Sequence, residues 1–168
     1  MPVVCAAQSQ VLSIPLKSQR AEVSQTIGLT DITITYHRPV VGGRVIWDGL
    51  VPYGKVWRTG ANMNTTITFS DPVRIDGNSL DRGTYGLHMI PAADEWTVIF
   101  SKNSTSWGSF TYDQAEDALR IRVRPRVSGM HEALTYEFDD LAPSSVIVEL
   151  LWEKLAVPFT VSVDVHAV

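Results

Sequence analysis

Ile32-Thr33-Ile34-Thr35-Tyr36 alternates apolar and polar side chains, and four of its five residues are β-branched. A period of two places one row of side chains on a core and the other toward water, which is the pattern of a half-buried strand. The same alternation begins near Glu22 and returns in Thr66-Ile67-Thr68-Phe69, Tyr85-Gly86-Leu87-His88-Met89 and Trp96-Thr97-Val98-Ile99-Phe100. It recurs in residues 119–127, 134–138, 146–152 and 159–165. Asp76-Gly77 is a dipeptide that closes a tight hairpin, because glycine accepts a positive φ without a Cβ clash. Helix is minimal: residues 112–118 can make a turn or two after an Asp cap, and Pro52 can start a single turn through Trp57. Together these predict an all-β, single-domain antiparallel β-sandwich or open barrel, jelly-roll-like, with one long irregular loop.

A chain of 168 residues, 45% of them hydrophobic, suffices for one buried core. We place that β domain at residues 21–168, behind a flexible N-terminal segment, residues 1–20. The formal charge of −4 argues against a nucleic-acid partner, whose affinity comes from neutralised phosphates. No apolar run approaches the roughly 20 residues that span a bilayer. The single cysteine, Cys5, excludes an intramolecular disulfide and a cysteine-rich zinc site. It lies in Val3-Val4-Cys5-Ala6-Ala7-Gln8, which reads either as a signal-peptide remnant or as an ordinary chain terminus. The first places the protein in a secreted or periplasmic setting, the second in the cytoplasm.

Residues 38–62 break the alternation, and connections of this length tend to be binding loops, lids or compact excursions. They hold five of the eleven glycines and two of the five tryptophans. Arg38, Arg44, Lys55 and Arg58 against Asp48 give the segment +3, leaving −7 on the rest of the chain. Guanidinium forks, backbone N–H groups and aromatic faces suit a carboxylate, sulfate or phosphate, or a sugar ring. The bland reading of the same arginines is that they anchor the loop by stacking and hydrogen bonding.

Arg120, Arg122, Arg124 and Arg126 also alternate, a polyanion track on its face. Thr135, Glu137 and Asp139 alternate in the same way beyond Ser128-Gly129, so cross-strand ion pairs in a hairpin account for the stripe. His88 is the candidate general acid or base, though a lone histidine without ligand-spaced partners is more often simply hydrogen bonded. His37 has the same standing. No nucleotide, hydrolase or zinc-protease motif occurs, so neither cofactor nor metal is expected. Asp94-Glu95 and Asp139-Asp140 read as solvated turn carboxylates. Asn64-Thr65-Thr66 and Asn103-Ser104-Thr105 match the glycosylation acceptor pattern.

The block from Gly49 to Asn62, ending in Trp57-Arg58-Thr59-Gly60-Ala61-Asn62, is distinctive. With Gly83-Thr84-Tyr85, Glu95-Trp96-Thr97-Val98-Ile99, Trp107-Gly108 and Trp152-Glu153-Lys154-Leu155-Ala156-Val157-Pro158-Phe159, it closely resembles the bacterial family of domains of unknown function numbered 2911. The resemblance implies a β-rich domain usually found behind a signal peptide and supplies no activity. Its pattern commonly has a glutamate directly after the Asn of the block, where this chain has Met63. If that carboxylate is a ligand or a base in the family, this chain has lost it or does something different; if it only pairs with a neighbouring arginine, Met63 leaves the cation freer for an external anion.

The leading expectation is an exported, non-enzymatic β-sandwich binding a small anionic or carbohydrate-like ligand. Arg38, Arg58 and Asn62 would supply polar contacts and Trp57 a stacking face. One alternative is an enzyme using His88 as general acid or base, with Arg58 stabilising an anion. The other is a structural or protein-partner-binding domain whose loop arginines are satisfied internally.

Overall fold

Ile32, Ile34 and Tyr36 all turn into the core from β2 (Thr30–Arg38), as their spacing requires. The computed structural model describes residues 14–164; Cys5, the Val3 to Gln8 stretch and His166 lie outside them. In chain order the other strands are β1 (Gln19–Ile27), β3 (Thr66–Phe69), β4 (Val73–Ile75), β5 (Asn78–Leu80), β6 (Gly83–Ile90) and β7 (Trp96–Ser101). They are followed by β8 (Asp117–Val123), β9 (Arg126–Ala142) and β10 (Ser145–Ser162). One sheet has the order β1-β2-β3-β6-β7-β8 and the other β5-β4-β10-β9, with every pairing antiparallel. The sheets do not close into a barrel, so the architecture is the all-β sandwich.

The inner rows of both sheets interdigitate. Phe100 of β7 meets Phe159 of β10 edge-on at 5.5 Å, and Tyr36 of β2 meets Tyr136 of β9 at 4.8 Å. The Tyr36 hydroxyl accepts from the Tyr136 backbone N–H at 3.2 Å, joining the layers with a polar bond inside an apolar interface. Asp76-Gly77 closes the β4–β5 hairpin as its sequence demands, with Gly77 at φ +84°. Asp113 caps a single 3-10 turn, Gln114–Glu116, by accepting from the Ala115 N–H.

Four local expectations are corrected. The arginine stripe is not one strand: Pro125 lacks the N–H a continuing ladder needs, so β8 ends at Val123 and β9 starts at Arg126 in the other sheet. Ser128 and Gly129 therefore lie inside β9, and the arginines do not pair across a hairpin with Glu137 and Asp139. Instead Arg120 bonds Asp117 at 2.5 Å, Arg122 and Arg124 share Glu95, and Arg126 reaches Glu149 of β10. Glu95 is thus an ion-pair partner and not a free turn carboxylate. The runs at 146–152 and 159–165 merge into β10, whose register shifts around Glu153 at φ +55°, a bulge within a strand that pairs with β9 along most of its length and with β4 near its end. Finally, no helical turn follows Pro52. Tyr53 N–H is taken by the Asp48 carboxylate at 3.1 Å, Gly54 sits at φ +73°, and Trp57 pairs with Met89 of β6 through N–H···O bonds of 2.8 and 2.9 Å.

Candidate functional site

Residues 38–62 pack down on both sheets. Val41 N–H donates to Glu132 O and Leu134 N–H to Pro39 O, tying the segment's start to β9, while the Trp57–Met89 bridge ties its end to β6. Val41, Ile46 and Val51 are buried in the common core. Trp47 meets Trp57, Trp96 and Trp152 edge-on at 5.7, 4.9 and 5.8 Å, and Trp57 stacks on Trp152 at 5.9 Å and 15°. Such contacts contribute about 0.5–1.5 kcal/mol each beyond area burial. They offset the buried Trp47 Nε1, which has no acceptor.

Thr59 is the strained point of the segment. A β-branched residue at φ +53° is a backbone outlier that survives only where its surroundings over-determine it. Here they do: its hydroxyl donates to Leu87 O at 2.9 Å, and its carbonyl accepts from Thr65 Oγ1 at 3.2 Å and from Tyr136 Oη at 3.1 Å. Gly60 follows because a Cβ there would fall 2.7 Å from Thr65 Oγ1 and 3.1 Å from His37 O. This pinned turn aims the flanking Arg58.

Arg58, Trp57, Arg44, Lys17, Ser18 and Trp152 line a groove of about 290 Å³, completed by Pro39, Val40, Leu50, Val51, Gly60 and Ala61. Arg58 donates to Asn62 O at 2.6 Å, lies 5.4 Å from the Phe110 ring centre and abuts Gly108. Burial lowers its pKa from the usual guanidinium value. Arg44 donates to Val41 O at 3.0 Å and Val40 O at 2.5 Å. Among the described residues no carboxylate lies within 4 Å of Lys17, Arg44 or Arg58, and none lines the groove. Met63 is 51% exposed and forms no wall of the groove.

The other predicted residues lie elsewhere. Arg38 donates to Leu134 O and Thr135 Oγ1, both at 2.8 Å, and so joins β2 to β9 outside the groove. Asn62, at φ +59°, donates to Ser18 O at 3.3 Å, holding the chain entering β1 beside the groove. Lys17 and Trp152 are groove residues that sequence reasoning missed. They sit far from the 38–62 segment in sequence; no local signal marks Lys17, and the motif that Trp152 opens does not connect it with that segment.

His88 lines a different cavity, of only about 10 Å³, beneath the loop that joins β7 to β8. That is room for about one water. The side chain is 3% exposed, its Nδ1 lies 2.8 Å from Ser109 Oγ, and its ring packs 5.4 Å from Tyr112. Burial pushes its pKa down to about 4, against an opposing pull from Asp117. Arg58 does not line this cavity, and His88 does not line the groove. Asn64, with its amide nitrogen toward the loop, donates to Gly108 O at 2.6 Å and Ser106 O at 3.1 Å. That buried amide, and the Asn103 amide bonded to Glu116, give both glycosylation-like matches a structural use. His37 is also buried, with Nδ1 lacking a partner, and burial followed by nearby Arg20 lowers its pKa.

A cleft of about 410 Å³ near the end of β10 is larger than the groove, but its Arg74 is engaged by Asp164 at 3.7 Å and Asp71 adds a second carboxylate. Its charge does not favour an anion.

The sequence pattern of a family described as protein of unknown function, DUF2911, matches residues 18–161. The chain belongs to the DUF2911 family. The matched stretch holds the whole of the 38–62 segment and every groove residue except Lys17. No curated protein and no solved structure matches this DUF2911 chain. No helix among the described residues is long and apolar enough to cross a membrane.

Proposed function

We propose that this DUF2911 chain is a binding domain that holds a small anionic ligand in the groove between the 38–62 segment and β10. The observation that carries the reading is the convergence of Lys17, Arg44 and Arg58 on one concavity that no carboxylate among the described residues lines. In a chain of net charge −4, cations without carboxylate partners leave a local positive potential for a ligand to neutralise. Arg58 presents a fork suited to a carboxylate, phosphate or sulfate, and Trp57 supplies an aromatic wall. Arg38 and Asn62 then support the site by holding β9 and the Ser18 carbonyl in place. Export is proposed from the Val3 to Gln8 stretch, and fractionation of cells making the full chain tests it.

Titration of the protein with phosphate, sulfate, simple carboxylates and acidic sugars, followed by tryptophan emission, tests the binding reading. Binding should weaken with salt and fall at least tenfold in Arg58→Ala. Affinity unchanged in that variant would remove Arg58 from the site, and no response to any anion would end the reading.

A further inference from the structure

We infer that the groove selects an anion carried on an apolar body, a hydrophobic carboxylate being the simplest example, over an acidic sugar or an inorganic ion. This rests on the anion-binding reading above and narrows it. The lining separates by chemistry: Lys17, Arg44 and Arg58 are donors only, while Val40, Leu50 and the Trp57–Trp152 stack are apolar. Val40 and Leu50 are 43% and 48% exposed, two large aliphatic side chains left open beside three cations. A ligand that covers them removes apolar surface from water as its head group meets the guanidinium groups.

A sugar is poorly served by the same walls. Its hydroxyls must donate as well as accept, and such sites need carboxylates, amides or free carbonyls. Among the described residues, Ser18 carries the only side-chain acceptor lining the groove. The carbonyls of Val40 and Val41 already accept from Arg44, and that of Asn62 from Arg58. Side-chain acceptors for sugar hydroxyl hydrogens are therefore scarce in the described lining, and each hydroxyl left unpaired there costs affinity. The volume of about 290 Å³ is far larger than phosphate needs and leaves room for a medium-chain or bicyclic carboxylate.

Calorimetric titration of the full chain with hexanoate, octanoate, 2-naphthoate, glucuronate, inorganic phosphate and octanol tests this. Octanoate and naphthoate should bind most tightly, with a gain of about two- to fourfold per added methylene from hexanoate to octanoate. Leu50→Ser, at a half-exposed position, should weaken octanoate at least threefold and leave phosphate unchanged. Phosphate or glucuronate binding as tightly as octanoate would overturn the apolar selection while leaving the anion reading intact. Octanol matching octanoate would overturn the anion reading, and silence from every probe would overturn both.

Discussion

His88 shows at the scale of one residue how a sequence candidate changes meaning in the fold. Its spacing on β6 turns it away from Leu87 and Met89, yet the face it reaches is covered by the β7–β8 loop and not by water. A histidine neutral at ordinary pH, locked to Ser109 in a chamber of about one water, is built for packing and hydrogen bonding. Its depressed pKa has a pH consequence. Between the unfolded value near 6.5 and the folded value of about 4, the unfolded chain binds a proton that the folded chain refuses. Stability is therefore complete above about pH 6.5 and falls as the pH drops toward 4, by at most about 3 kcal/mol from this group. His37 acts in the same direction. Urea unfolding at pH 7 and pH 4.5 should show a larger midpoint loss for the native chain than for His88→Asn, and equal losses would count against this account.

At the scale of elements, the turn from β8 to β9 is where local alternation misleads. The arginine pattern runs through Pro125 without a visible change of period, but the proline ends one ladder and the chain crosses to the other sheet. Arg126 then meets Glu149, a carboxylate 5% exposed whose Oε1 has no well-directed hydrogen bond, so its compensation is the charge of Arg126. Removing a cation from a buried carboxylate costs about 3–5 kcal/mol, less when the cation is half exposed as here. Arg126→Ala should thus lower stability by about 2 kcal/mol in denaturant unfolding, and Glu149→Gln in that background should recover part of the loss. A loss no larger in Arg126→Ala than in an Arg122→Ala control, whose pair is mostly exposed, would make the buried pair irrelevant.

For the whole molecule, the decisive feature is that two sheets and the long segment bury their apolar groups against one another. Phe159 and Phe100 meet across the layers, while Ile46 and Val51 carry the segment into the same cluster. We expect one cooperative unfolding transition, with tryptophan emission and far-ultraviolet dichroism changing together. Phe159→Ala, at a fully buried cross-sheet contact, should cost about 3–5 kcal/mol without splitting the transition. Separate transitions for the two probes would mean that the segment or one sheet folds by itself.

Much of the strand content, the Asp76-Gly77 hairpin and the cationic, aromatic character of residues 38–62 were readable in the chain. Each depends on side-chain period or backbone preference over a few neighbouring residues. The groove was not, and neither was the fate of the arginine stripe. Lys17 and Trp152 come from opposite ends of the described chain, and the crossing at Pro125 depends on which edge β9 finds. The +3 charge of the segment was legible, but its direction was not: Arg38 turned to β9, while Arg44 and Arg58 turned to the groove. Net charge follows from composition, whereas a charge becomes part of a site only when long-range packing decides which carbonyls and carboxylates reach it first.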